Sequence, residues 1–168
     1  MKITISGIPG SGKSTVSSAI AKKYNLIHYS TGKFMRDYAK KHSITIEEVN
    51  VLAKKDKKID DAMDNKLKEL NGKEGYIIEG RLGALFCKDN YNILLTVNED
   101  VCAKRISVRE NLSYEDALKK LRFRRNEERQ RFIDIYGFDY EDESNYDLVV
   151  DTSNNKVEDT VAIIAKYL

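Results

Sequence analysis

The chain has 168 residues, of which 41% are hydrophobic and 33% are charged, and its formal net charge is +2. This size and balance predict one globular domain, exclude wholesale disorder, and favour neither nucleic acid nor a membrane as a partner. Cys87 and Cys102 belong to no C-x-x-C motif and have no histidine pair near them, so we expect buried, reduced thiols rather than a disulfide framework or a zinc site.

The longest uncharged stretch, residues 3–12, is polar and rich in glycine. It therefore predicts neither a membrane span nor the apolar region of a secretion signal. We expect a cytoplasmic protein that is monomeric and has no membrane partner.

The first predicted strand is a β-branched run around Ile3 and Ile5, and it ends at the glycines of residues 7–12. Val16 and Ile20 then recur at helical spacing. The order is therefore strand, glycine loop, helix.

The glycine loop matches G-x-x-x-x-G-K-[ST] at residues 7–14. In such a loop, backbone N–H groups and the positive end of the helix bind phosphate, the lysine reaches the β- and γ-phosphates, and the hydroxyl ligates Mg²⁺. ATP and Mg²⁺ are the predicted ligands, with Lys13 as a catalytic residue and Ser14 as a metal ligand. The predicted ATP-binding residues of the loop are Gly7, Pro9, Gly10, Ser11, Gly12, Lys13, Ser14 and Thr15.

The next segment predicts a second strand over residues 26–29 and a helix that runs from Thr31 to about Lys41. Short amphipathic helices follow as far as residue 70, and Thr45 with Glu48 forms a capping box for the first of them. This part of the chain is therefore helical between two strands.

Three residues at the end of the second strand suit an anionic acceptor. Thr31, Gly32 and Arg36 supply a hydroxyl, backbone N–H groups and a guanidinium. These groups together can hold an anion, and we interpret them as acceptor-binding residues.

Two short apolar runs, residues 76–79 and 93–97, lack strict alternation and predict buried strands of a parallel sheet. Glu79 ends the first of these strands, where its carboxylate could hold a Mg²⁺-bound water. Arg81 follows two residues later, near the same crevice.

Charge is unevenly distributed in the second half of the chain. Residues 104–131 hold ten Lys or Arg and five Asp or Glu, whereas residues 132–155 hold seven acidic residues and no Lys or Arg. Helices are predicted over 99–110 and from 113 to about 136. Because the second is polar almost all round, we expect it to cover no core and to act as a lid that closes arginines over the transferring phosphoryl group. The alternative is surface pairing, with suitable spacing between Arg124 and Glu128 and between Glu127 and Arg131.

The last predicted elements are a strand over 148–150 and a helix over 157–168. Strands and helices alternate along the whole chain, which is typical of an α/β fold with a mostly parallel sheet flanked by helices. We expect a single domain, residues 1–168.

A phosphate-binding loop serves GTPases, motor ATPases and small kinases alike. Residues 155–158 read Asn-Lys-Val-Glu, which lacks the aspartate of a guanine-binding N-K-x-D motif, and a motor ATPase needs a larger domain. No aspartate follows the second strand as a base, and an acceptor phosphate, a dianion at neutral pH, needs none. Phosphoryl transfer to a phosphate acceptor is therefore favoured. Two alternatives stay open, namely a nucleotide-dependent RNA- or ribosome-associated factor and a nucleotide-binding module without catalysis.

Several motifs together resemble a known family. They are ISGxPGSGKS at 5–14, STGxxxR at 30–36, KDxxID at 55–60, EGRL at 79–82, IYG at 135–137 and YDLV at 146–149. The combination resembles the nucleoside monophosphate kinases, and among them the short archaeal-type cytidylate kinases, over essentially the whole chain. The resemblance implies a P-loop kinase fold with a helical monophosphate-binding insertion near 33–71, a lid near 110–131, and transfer from ATP to CMP or dCMP.

The resemblance also implies roles for the arginines. Arg36 and Arg81 would hold the monophosphate, Arg105 and Arg109 would lie on the ATP side, and Arg124 and Arg131 would act catalytically from the lid. Lys33, where related kinases commonly carry aspartate, and residues 83–86 depart from the family pattern. Adenylate kinase, with AMP as acceptor, therefore stays an alternative within the family.

Cytosine offers a ring acceptor and an exocyclic amino donor, so its binding site needs an acceptor beside a donor. Within the helical insertion, Asp56 and Asp60 are the candidate acceptors.

Overall fold

The centre of the fold is a sheet of five parallel strands in the order β2-β3-β1-β4-β5. Its strands are β1 (Lys2–Gly7), β2 (Ile27–Ser30), β3 (Tyr76–Glu79), β4 (Tyr91–Thr96) and β5 (Leu148–Asp151). Ile5 lies opposite Glu79 of β3 on one side and Ile93 of β4 on the other. The computed structural model describes the backbone of residues 1–168 and all side chains except those of Glu47, Asn50 and Lys54. The predicted α/β architecture with a parallel sheet is confirmed.

Eight helices surround the sheet. They are α1 (Lys13–Tyr24), α2 (Thr31–His42), α3 (Ile46–Lys55), α4 (Lys58–Leu70), α5 (Gly83–Phe86), α6 (Glu99–Glu110), α7 (Tyr114–Tyr136) and α8 (Val157–Ala165). The capping box of Thr45 and Glu48 is present, and Ser113 caps α7 by accepting from the N–H of Asp116. No helix in the part of the chain that the structure describes is long and apolar enough to cross a membrane.

Apolar residues cover both faces of the sheet, which is why the strands lack strict alternation. On one face, Ile3 and Ile5 pack with α1 and α8. On the other, Ile78 packs in a cluster that includes both cysteines, which are free and buried. The expectation of buried, unpaired thiols is confirmed.

Helices α2, α3 and α4 lie between β2 and β3 and correspond to the segment predicted as an insertion. They have a small core of their own, formed by Ala39, Val49, Ala53 and Ile59. This separate core lets the three helices fold together beside the sheet.

The expectation that the arginine-rich helix covers no core is wrong. Ala117, Leu121 and Phe132 of α7 are buried in the cluster that packs on the sheet. The apolar stripe of this helix is interrupted, because its middle positions are occupied by two buried charged residues, Glu128 and Arg131. A stripe that contains charged residues gives a weak periodic signal, and the sequence therefore suggested an all-polar helix.

Candidate active site

A cavity of about 920 Å³ opens at the carboxyl ends of the strands, the usual ligand position in an open α/β sheet. Nine Lys or Arg residues and three Glu residues line it. Such an excess of positive charge suits a polyanionic ligand. The lining includes the loop from Pro9 to Thr15, together with Thr31, Gly32, Arg36, Glu79, Arg81, Arg105, Arg109, Arg124 and Arg131.

The glycine loop requires glycine at specific positions. Gly10 has φ +83°, and a Cβ there would lie 2.4 Å from the Cys102 sulfur. Gly12 has φ +86° and precedes α1 without a side-chain cap, so the first N–H groups of the helix are left for a ligand. Gly7 ends β1 and lies outside the cavity lining.

Four consecutive carbonyl groups of this loop accept hydrogen bonds from side chains. The pairs are Lys13 Nζ to Ile8 O (2.7 Å), Cys102 Sγ to Pro9 O (2.5 Å), Arg105 Nη1 to Gly10 O (3.4 Å) and Thr152 Oγ1 to Ser11 O (3.1 Å). Because these contacts hold the carbonyl groups, they leave N–H groups of the loop for phosphate, although the N–H of Ser11 donates to Ile8 O. Arg105, predicted to bind ATP, thus also supports the loop.

Lys13 carries its charge in a buried and already cationic environment. Burial lowers the pKa of its ammonium group to about 7, and the positive charge of Arg81 acts in the same direction. The carboxylates of Glu79 and Glu128 oppose this shift. An anionic ligand would therefore favour the charged form of Lys13.

Ser14 and Glu79 provide oxygen atoms for a cation beside the loop. The Ser14 hydroxyl donates to Glu79 Oε1 at 2.7 Å, and His28 Nε2 lies 3.3 Å from Oε2. Burial raises the pKa of Glu79, but hydrogen bonds from His28, Ser14 and Ser30 outweigh it and bring the pKa to about 2. A hydroxyl and an ionised carboxylate fit Mg²⁺, which is bound by few protein ligands together with phosphates. Among the described side chains, no group of three or more His, Cys, Asp or Glu forms a denser metal site.

The predicted acceptor residues lie on the same cavity wall. The side chain of Thr31 is in close contact with Gly80, because a Cβ at Gly80 would overlap it. Arg36 and Arg81 line the cavity from α2 and from the segment after β3. The structure thus brings together the residues predicted from the STGxxxR and EGRL motifs.

The arginines of α7 fall into two groups. Arg124 and Arg131 line the cavity, whereas the other three pair with carboxylates away from it. The outer pairs are Arg122 with Glu99, Arg125 with Glu141 and Arg129 with Asp139. Two of these pairs join the basic block of the sequence to the acidic block that follows it. The predicted pair of Arg124 with Glu128 is also present, with Arg124 Nε 2.9 Å from a carboxylate oxygen, but Glu128 is buried and the pair lines the cavity instead of the helix surface.

Two features of the cavity are not assigned to the site from the sequence. Glu128 is buried and contacts both Arg124 and Arg81. Residues 155–157, after β5, line one end of the cavity. No sequence signal marks Glu128 as buried, because it is one of the charged residues that hide the apolar stripe of α7. Residues 155–157 could have been found from their place after the carboxyl end of a predicted strand.

The two aspartates predicted to read the base lie outside the cavity lining. Asp56 is exposed and accepts from the N–H of Lys58 at the start of α4. Asp60 is buried, and its Oδ1 lies 3.4 Å from Arg131 Nη1. Asp60 is therefore next to a cavity residue, whereas Asp56 makes its hydrogen bond to the backbone of α4.

Replacing Asp64 with asparagine is expected to stabilise the protein at pH 7. Asp64 is 6% exposed and accepts from Tyr136 at 2.8 Å, but its Oδ1 has no hydrogen-bond partner in the part of the chain that the structure describes. Burial raises its pKa, so the native state takes up a proton before the unfolded state as the pH falls. Asparagine removes the charge, and the melting temperature should rise by about 2–4 °C at pH 7.

The gain should shrink as the pH falls through the native pKa of Asp64, because the protonated wild type then matches the variant. Thermal unfolding from pH 4 to 8 measures this. Asp61→Asn, at an exposed position of the same helix, is the control and should change the melting temperature little. A gain that is independent of pH would contradict the electrostatic cause.

A family model described as the cytidylate kinase-like family matches residues 2–154. The chain belongs to the cytidylate kinase-like family. This member is 38% identical to a cytidylate kinase of Methanocaldococcus jannaschii, and the match covers 100% of this chain and 97% of that protein. The resemblance stated from the motifs is confirmed.

Two other comparisons bear on this cytidylate kinase-like protein. It is 37% identical to an S-adenosylmethionine-dependent nucleotide dehydratase of Lacinutrix mariniflava, covering 99% of this chain but only 35% of that protein. Its fold matches a shikimate kinase of Aquifex aeolicus with a TM-score of 0.61 at 22% identity, over 99% of this chain and 95% of that one. The family relationship supports a nucleotide kinase, and the structural likeness confirms the expected P-loop kinase fold.

Proposed function

We propose that this protein transfers the γ-phosphoryl group of ATP to CMP or dCMP in the presence of Mg²⁺, giving ADP and CDP or dCDP. The observation that carries the proposal is the shared cavity of two phosphate-binding groups. The loop at Pro9–Thr15 and the set formed by Thr31, Arg36 and Arg81 line one space. A donor and an acceptor phosphate bound to these groups would meet there, so that positioning supplies much of the catalysis.

The side chains of the cavity suit the charge of phosphoryl transfer. Lys13, Arg124 and Arg131 would stabilise the charge of the transferring group, with Arg105 and Arg109 on the ATP side. Ser14 and Glu79 would hold Mg²⁺, which would supply positive charge to neutralise the phosphates.

The carboxylates of the cavity support a phosphate acceptor rather than a hydroxyl acceptor. Glu79 is held by Ser14 and His28, Glu110 by Arg109 and Lys120, and Glu128 by Arg81 and Arg124. A carboxylate paired in this way is a poor proton acceptor. An acceptor that is already a dianion does not require a general base.

For the base, we propose that Asp60 accepts from the exocyclic amino group of cytosine beside the guanidinium of Arg131. The Asp60 Oδ2 atom is buried and has no hydrogen-bond partner among the described residues, and Arg131 lines the cavity. This pair supplies the acceptor and donor that cytosine needs. Asp56 is the alternative acceptor predicted from the sequence.

ADP formation with ATP and Mg²⁺ is expected to require a monophosphate and to be fastest with CMP or dCMP. A coupled assay with CMP, dCMP, UMP, AMP, GMP and no acceptor measures it. A preference for AMP would support a nucleoside monophosphate kinase but would show that the proposed acceptor is wrong. ADP formation that does not depend on any acceptor would contradict the proposal. In that case salt-dependent RNA binding would test the binding-factor alternative.

A further inference from the structure

Glu128 is a buried anion that the proposed reaction does not use directly. It is 6% exposed, and its carboxylate lies 2.8 Å from Arg81 Nη2 and 2.9 Å from Arg124 Nε. Burial alone would raise the pKa of this carboxyl group, but the two arginines hold it below its usual value. An ionised carboxylate at this depth is tolerated only when it is paired in this way.

The contacts of Glu128 leave most guanidinium donors unused. A guanidinium carries five N–H groups, and Glu128 contacts one nitrogen of each arginine. Arg81 Nε is buried and has no hydrogen-bond partner among the described residues. The Arg81 Cζ atom also lies 5.7 Å from the ring centroid of Tyr140. Arg81 is therefore held by a carboxylate and an aromatic ring while a buried donor remains unsatisfied.

The two arginines come from different parts of the fold. Arg81 comes two residues after β3 and directly after Gly80, which is against the Thr31 side chain, whereas Arg124 lies on α7, one helical turn before Glu128. The Glu128 carboxylate thus connects α7 to the strand end at which the acceptor residues lie. Both guanidiniums line the cavity.

We propose that Glu128 is a positioning residue for the phosphoryl acceptor, which orients the guanidiniums of Arg81 and Arg124 so that their free N–H groups bind the acceptor phosphate. The proposal rests on the proposed function. Its physical basis is that two guanidiniums held close together repel each other, and an anion between them offsets that repulsion and fixes their planes. Glu128 does not itself contact the substrate in this arrangement.

Replacing Glu128 with glutamine tests the proposal, because the amide keeps the shape but removes the charge and places an NH₂ group beside a guanidinium. We expect the KM for CMP to rise about tenfold or more and kcat to fall, with the KM for ATP changed by less than about twofold. Glu99→Gln is the matched control. Glu99 contacts Arg122 of α7 through two hydrogen bonds, of 3.1 and 2.8 Å, away from the cavity, and its loss should leave all three constants unchanged.

A folded Glu128→Gln variant with an unchanged KM for CMP would overturn the proposal. So would a lower KM, which would mean that Glu128 competes with the acceptor phosphate. If the glutamine variant does not fold, Glu128→Asp gives the same readout, because it keeps the charge but is too short to contact both arginines. A higher acceptor KM in that variant supports the proposal, and an unchanged value rejects it.

Failure of the proposed function gives a different result. Turnover by the wild type tests the proposed function. The role of Glu128 is tested by the ratio of the acceptor KM of the variant to that of the wild type, measured with whichever monophosphate the wild type uses. If the wild type phosphorylates no monophosphate, the proposed function is wrong. Calorimetry with inorganic phosphate, at saturating Mg²⁺ and ADP, then tests whether Glu128 contributes to phosphate binding. Weaker phosphate binding by Glu128→Gln supports its positioning role, and equal binding refutes it.

Discussion

Replacing Lys13 with methionine is expected to lower kcat about 100- to 1000-fold or more without loss of the fold. In the proposed function the Lys13 ammonium group would stabilise the charge of the transferring phosphoryl group, and loss of one such preorganised donor costs about 2.7–4 kcal/mol of transition-state stabilisation. Methionine fits the site because Lys13 is only 9% exposed and burial already disfavours its charge, which lowers its pKa to about 7. Steady-state kinetics and thermal unfolding measure the two effects.

The stability of the Lys13→Met variant has a predicted pH dependence. Because the pKa of Lys13 is lower in the native state than in the unfolded state, the charged lysine destabilises the wild type most below pH 7. That cost disappears as the pH rises from about 7 towards the unfolded value of 10.5. The melting temperature of the variant should therefore be no lower than that of the wild type at pH 6. Any difference in its favour should become smaller as the pH rises above 7.

Lys22→Met is the control for this substitution, since Lys22 is an exposed residue of the same helix. It should leave kcat unchanged. An inactive Lys13→Met that is also unfolded would contradict the assignment of Lys13 as a catalytic rather than a structural residue. A folded variant with full activity would contradict it equally.

Local patterns predicted the phosphate loop and the sheet because short-range physics determines them. The strand, loop and helix around Lys13 depend on β-branched residues, on glycines with positive φ and on helical spacing, all within about twenty residues. The positions of Thr31 and Glu79 followed from the general rule that parallel strands have their carboxyl ends at one edge. A four-residue helix such as α5 (Gly83–Phe86) is too short to give a periodic signal, and it was not predicted.

Long-range pairing of charges could not be predicted in the same way. The sequence allowed Arg124 to pair with Glu128, but it did not indicate that Arg81, 47 positions before Glu128, shares the same carboxylate. The charge pattern alone also does not separate Arg125 and Arg129, which pair with the acidic block, from Arg124 and Arg131, which line the cavity and which only the family resemblance singles out. These partners depend on how α7 packs, and its apolar stripe is hidden by charged residues.

Replacing Arg81 with lysine is expected to raise the KM for the acceptor about 10- to 100-fold and to change the KM for ATP little. Lysine keeps a positive charge opposite Glu128, so the buried carboxylate retains a partner and the protein should fold. It loses the planar guanidinium, whose remaining N–H groups would bind the acceptor phosphate, and hydrogen bonds of that kind contribute about 1.5–3 kcal/mol.

Arg122→Lys is the matched control for this prediction. Arg122 lies on the exposed side of α7 and pairs with Glu99, so the same substitution removes a guanidinium without touching the cavity. Both KM values should then stay at the wild-type level. Because charge is kept at both positions, a rise in the acceptor KM that occurs only in Arg81→Lys would be due to the geometry of the guanidinium. Equal values in both variants would instead mean that a positive charge alone suffices at residue 81.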